Sequence, residues 1–150
     1  MMAAQQGACS SALMPTANRT LTLSTVEGFY AIAKLPPDAP IPAWATSGAL
    51  FSITRTPEEL SLVVAEGSLP EETDASRNWR VLKVHGPFAF NEVGVVAALA
   101  NPLARLGVGI FVISTFDTDY LLVQREDLPV AVEALEHAGH RVLHLELMNS

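Results

Sequence analysis

The sequence predicts an α+β chain of antiparallel sheets with helices on one face, built as two related units of which the first is reduced. Three observations carry this. From residue 79 to 147 the apolar periods run strand, helix, strand, strand, helix, strand, which is the ferredoxin-like βαββαβ order. The first half gives strands and turns with only one short helical stretch. The halves also share a rhythm: Leu50-Phe51-Ser52-Ile53-Thr54 followed by Leu60 to Val64, against Phe111-Val112-Ile113-Ser114-Thr115 followed by Tyr120 to Val123.

Composition bounds the function. Apolar residues make up 49% of the 150 and charged residues 17%, enough for a packed core. Nine Lys+Arg against sixteen Asp+Glu leave a net charge of -7, which argues against the phosphate-neutralising surface that nucleic acid needs. The single Cys9 excludes an intramolecular disulfide framework and a multi-cysteine zinc site. No apolar run approaches the roughly 18 residues of a membrane helix; Val93 to Ala100 is too short and holds Gly94. A cytoplasmic protein is expected.

Residues 1–19 lack period and bulk and read as a disordered extension rather than a cleaved address. Thr20 to Thr25 and Phe29 to Leu35 both alternate around Glu27-Gly28, the pattern of a hairpin. Four prolines between Pro36 and Pro42 force irregular chain. Ile41 to Thr46 suits one helical turn with Trp44 inward. Gly48 to Arg55 and Leu60 to Glu66 read as a second hairpin about Thr56 to Glu59. The polar run Gly67 to Asn78 is the best internal boundary, giving an N-terminal unit at 20–70, a connector at 71–78 and a C-terminal unit at 79–150.

In the second half Trp79 to His85 is a strand ending at Gly86-Pro87. Asn91 is placed to cap a helix from Glu92, with Val95, Leu99, Leu103 and Leu106 on one face. Pro102 lies inside that pattern and is expected to kink the helix or restart it, with Asn101 as a second cap. Gly107 ends it. Val108 to Thr115 and Asp119 to Gln124 flank a tight turn. Asp127 caps a second helix, Pro129 falls in its tolerated first turn and Gly139 stops it. Arg141 to Leu147 closes the unit with Leu143, Leu145 and Leu147 inward.

Two segments can carry chemistry. A glycine in a first helical turn costs about 1 kcal/mol relative to alanine. Gly94 therefore either lets an anionic ligand approach the helix-start amides or gives clearance against the sheet. In Ser114 to Tyr120, local turn bonding accounts for Asp117 and Thr118. It accounts less well for Asp119, which opens an apolar strand. In the expected fold the 86–94 loop and the 115–119 turn share a sheet edge and face each other. A helix start takes a carboxylate and a carboxylate takes an ammonium; those are the two ends of a free amino acid.

These residues carry a resemblance. Asn91-Glu92-Val93-Gly94 with Leu99, Leu103 and Leu106-Gly107-Val108-Gly109-Ile110 resembles the ACT domain pattern. Ile113 to Val123 is similar to ACT proteins related to aspartokinase regulatory domains and to the animal cytosolic arginine sensors (CASTOR proteins). Phe51 to Ser61 resembles the first half of small bacterial members of that group. The resemblance implies regulation, with an amino acid bound between domains or subunits. It points to Glu92 and Gly94, and to Thr115, Phe116 and Asp119, as ligand contacts, with Val93 and Ser114 contributing backbone. Those sensors carry twice as many units, so a second half-site would come from another subunit, with residues 48–55 as its source, or be missing.

Other classes fare worse. His137 and His140 are three apart but Gly139 breaks the helix between them, so no metal is expected. His85 borders the candidate site. Ser114 has no nearby histidine in sequence, Cys9 sits in the tail, and neither a Gly-x-Ser-x-Gly elbow nor a Walker loop is present, so neither catalysis nor a cofactor is expected. The sequence thus predicts a non-catalytic amino-acid sensor, homodimeric and not membrane-bound. The alternative is an interaction module in which the glycine and turn acids are structural.

Overall fold

The computed structural model describes residues 20–88 and 93–144. The expectations placed on residues 1–19, on Asn91 and Glu92, and on Leu145 and Leu147 lie outside the described residues. Nine main elements follow in order: β1 (Thr22–Leu35), β2 (Ser52–Arg55), β3 (Leu60–Ala65), β4 (Ala75–Val84), α1 (Val95–Arg105), β5 (Ile110–Ser114), β6 (Asp119–Gln124), α2 (Leu128–His137) and β7 (Arg141–Leu143). The strands form one sheet in the order β2-β3-β1-β4-β6-β5, antiparallel throughout, with β7 added in parallel on β1. The α+β antiparallel class is as the sequence predicts.

The first predicted hairpin is instead one strand of 14 residues. Between Val26 and Tyr30 the register on β4 advances only from Val81 to Trp79, so Glu27-Gly28-Phe29 bulges out of the ladder. Gly28 sits at φ +95°, a conformation that serves a bulge as well as a reversal. Asn78, at φ +65°, takes up an extra residue on β4. Its backbone N–H donates to Glu66 Oε1 at 2.8 Å. Ala75 to Asn78 are therefore strand rather than connector.

β1 serves both halves. Its residues 30–35 pair with β3, its residues 22–24 pair with β7, and β4 runs along its other side. One core lies between the sheet and the two helices, with Leu23, Leu82, Leu99, Leu103, Leu121 and Leu135 fully buried. A second, around Leu60, Leu62 and Val64, is covered by the short 3-10 turn Ala43–Thr46. Ala45 is the residue that turn buries, with Trp44 packed at the side. The opposite face of the sheet carries a thinner cluster of Tyr30, Val63, Val81 and Leu122 against Phe111, Ile113 and Tyr120. The sheet curls over it until Ser52 and Thr54 of β2 and Phe111 to Ser114 of β5 line one cleft of about 180 Å³.

The helices differ from expectation in three places. α1 begins at Val95 with Gly94 as its N-cap at φ +83°, so Gly94 is not inside the first turn. Asp127 precedes α2 through a 3-10 turn and makes no side-chain capping bond. α1 also runs unbroken through Pro102. A proline at 102 withholds the N–H that Ala98 C=O would accept. The His140 imidazole replaces it: Nε2 lies 3.1 Å from Ala98 O, while Nδ1 accepts the Leu21 N–H at 3.1 Å. Accepting at Nδ1 fixes the neutral tautomer with the proton on Nε2, and the ring is 5% exposed. The buried ring ties β1, α1 and the start of β7 together.

Two groups lose partners when that ring is removed. His140→Ala is expected to lower unfolding free energy by about 2–4 kcal/mol in urea titrations. Pro102→Ala in that background restores the Ala98 acceptor's partner and is expected to recover part of the loss.

Candidate functional site

The site is built on the β5–β6 turn. Thr115 N–H donates to Thr118 O at 2.7 Å, and Thr118 N–H donates to Thr115 Oγ1 at 3.1 Å. These bonds pin the reversal and put Phe116 at its tip, 76% exposed. Ser114 and Asp119 face each other across the ladder, and Ser114 Oγ donates to Asp119 Oδ1 at 2.5 Å. That bond fixes the carboxylate at the strand's opening.

The chain leaving β4 is fastened to the same turn. Phe88 N–H donates to Asp117 O at 2.7 Å, and the buried Thr118 Oγ1 donates to Val84 O at 2.6 Å. Gly86 lies so close that a Cβ there would sit 2.8 Å from Asp117 O. Only glycine fits this approach.

Between turn and helix start lies an open cavity of about 330 Å³. Its walls are Phe88, the N-cap Gly94 with Val95 to Ala97 of the first turn of α1, and Ser114 to Asp119. The first amides of an α-helix lack intrahelical partners and carry the positive end of the dipole. The cavity therefore sets a positively polarised helix start against two carboxylates, Asp117 and Asp119. No Lys, Arg or His is among its described lining residues.

Of the sequence-stated residues, Gly94, Ser114, Thr115, Phe116 and Asp119 line this cavity. Val93 does not line it and is 72% exposed. Glu92 is outside the described residues. His85 does not line it either: its backbone N–H donates to Thr22 O at 2.8 Å and its Nε2 meets Ser24 Oγ. Residues 48–55 reach only the separate cleft across from Ser114. The sequence reading set the 86–94 loop against the 114–119 strand-turn without singling out Phe88, left out Val95 to Ala97, and gave Asp117 and Thr118 to turn bonding. Phe88 carries no sequence signal, because a backbone bond places it. Among the described residues no three His, Cys, Asp or Glu converge as metal ligands, and no helix is long and apolar enough to cross a membrane.

A family model described as an ACT domain matches residues 74–137, and a second, described as an N-terminal domain, matches residues 28–72. The cytosolic arginine sensor for mTORC1 subunit 1 of Rattus norvegicus is 33% identical over 81 residues. The match spans 53% of this chain and 22% of the sensor, so the chain covers less than a quarter of that relative. A crystal structure of an Agrobacterium tumefaciens protein is 43% identical with a TM-score of 0.80, covering 84% of this chain and 94% of that one. The regulatory subunit of aspartate kinase from Thermus thermophilus shares the fold, with a TM-score of 0.57 at 14% identity over 78% of this chain and 97% of that one.

Two substitutions test the fastening of the β4 exit to the turn. Gly86→Ala forces Asp117 O or the loop to move and is expected to cost about 1–3 kcal/mol in thermal unfolding. Thr118→Val leaves the hydroxyl's acceptor, Val84 C=O, unpaired in a buried place and is expected to cost about 1–3 kcal/mol.

Proposed function

Because an ACT domain model matches residues 74–137, the chain is similar to the cytosolic arginine sensor, and its fold is shared with an aspartate kinase regulatory subunit, we propose that it binds a free amino acid and acts as a regulatory sensor without catalysis of its own. One observation carries this reading: the helix-start residues Gly94 to Ala97 and Asp119 line the same small cavity. The amides receive the ligand's carboxylate and Asp119 its ammonium, with Gly94 letting the ligand close on the backbone. Ser114, Thr115 and Phe116 complete the described wall. Glu92 and Val93, adjoining Gly94, extend the proposed contacts at the helix start.

The charge of the wall selects the ligand. Two acids without a basic lining residue favour a side chain that is itself cationic. Arginine is the first candidate, since the related sensors are named for it. A cytoplasmic homodimer is the form in which we expect it to work, and the open cavity leaves room for a second subunit to complete the ligand's enclosure.

A thermal-shift screen of the common amino acids tests this. At a hundredfold excess over Kd, a ligand bound only by the folded chain stabilises it by about 2.7 kcal/mol, or roughly 5–10 °C in Tm. Arginine is expected to give the largest shift. Asp119→Asn is expected to weaken it by roughly 10- to 100-fold in Kd with the unliganded Tm little changed. No shift with any amino acid would leave the interaction-module reading, which the exposed Phe116 on the cavity wall and the exposed Val93 next to Gly94 favour.

A further inference from the structure

We infer that Asp117 determines specificity at the amino-acid cavity by reading the charge of the ligand's side chain. This rests on the amino-acid-binding reading above and adds a residue and a role to it. An aspartate in a tight turn ordinarily answers the neighbouring amides with its own carboxylate. In this turn Thr115 and Thr118 take that part. Thr115 Oγ1 accepts the Thr118 N–H and donates to Thr118 O, both at 3.1 Å, and Thr115 N–H donates to the same oxygen at 2.7 Å. Asp117 is engaged through its main chain, where its C=O accepts the Phe88 N–H at 2.7 Å. Among the described residues its carboxylate makes no hydrogen bond and no ion pair.

The chain therefore holds this acid at a fixed point of the cavity wall with its charge unanswered. The same residue also lines a second, adjoining cavity of about 200 Å³ with Lys83, Gly86, Pro87 and Thr118. Lys83 is the cation of that lining, and it makes no ion pair with Asp117. Asp119 differs, because Ser114 Oγ donates to its Oδ1 at 2.5 Å and fixes it at the opening of β6. With the ligand's ammonium on Asp119 and its carboxylate on the helix start, the ligand's main chain needs no second anion. An acid on the same wall then acts on whatever the side chain brings. A cationic side chain is attracted, a neutral one of the same shape gains nothing, and an acidic one is repelled.

Arginine and citrulline are the probes, since citrulline keeps arginine's length and planar end but replaces the guanidinium with a neutral urea. Isothermal titration of the full chain with each tests the role. The parent is expected to bind arginine roughly tenfold more tightly than citrulline, a preference that shrinks as salt is raised. Asp117→Asn is expected to lose that preference by weakening arginine alone, with the unliganded Tm of the parent. Asp119→Asn is expected to weaken both ligands together. A parent that binds both equally, or an Asp117→Asn chain that keeps the parental preference, overturns the role of Asp117 and leaves amino-acid binding standing. So does an Asp117→Asn chain that weakens arginine and citrulline alike, the mark of a turn that has lost its shape. A parent that binds neither removes the amino-acid reading itself, and this role with it.

Discussion

The pairing of β1 with three other strands is the constraint on which this molecule rests. Leu23 to Ala33 run beside β4, and the strand's other edge is divided between β3 and β7. The bulge about Gly28 marks the changeover, re-aiming the strand so that Leu23 enters the helix-covered core and Ala31 and Ala33 the other. Neither half buries its apolar face without this strand. The family model's span, 74–137, leaves β1 out, so that span and the folding unit do not coincide.

The candidate site follows from the same economy of parts. The turn closes on itself through Thr115 and Thr118, the β4 exit is fastened through Phe88 and Thr118, and Ser114 steadies Asp119. A short net of hydrogen bonds thus holds the turn and its two acids, and Val95, buried in the helix-covered core, seats the helix start against the same cavity. The ligand proposed above has two ends that differ in sign, as do these two walls.

Much of this was legible in sequence where the signal was local. Asp119 to Gln124, read as the partner strand after a tight turn, is the strand observed. Gly107 and Gly139 both adopt positive φ at helix ends, as their positions foretell. Legibility fails where a distant partner decides. Glu27-Gly28 fits a turn as well as a bulge, and only β4's register chooses. Pro102 is a helix breaker by rule, but a histidine 38 positions later supplies the missing donor. The site follows the same division. Gly94 and Asp119 stand out against helix and turn rules, whereas Ser114, Thr115 and Phe116 came from the ACT resemblance; all five line the cavity. Phe88 was not singled out, since a main-chain bond brings it there.

The arrangement around Ala98 has a bearing on how such chains diverge. Its carbonyl is served by a side chain only because residue 102 has no amide hydrogen to give. The two positions are thereby bound into one inheritance. A lineage that trades the ring at 102 for an ordinary residue frees position 140 to drift, whereas one that loses the imidazole first strands an oxygen in the interior. The order of change matters, and co-occurrence of proline and histidine is the trace it would leave among relatives.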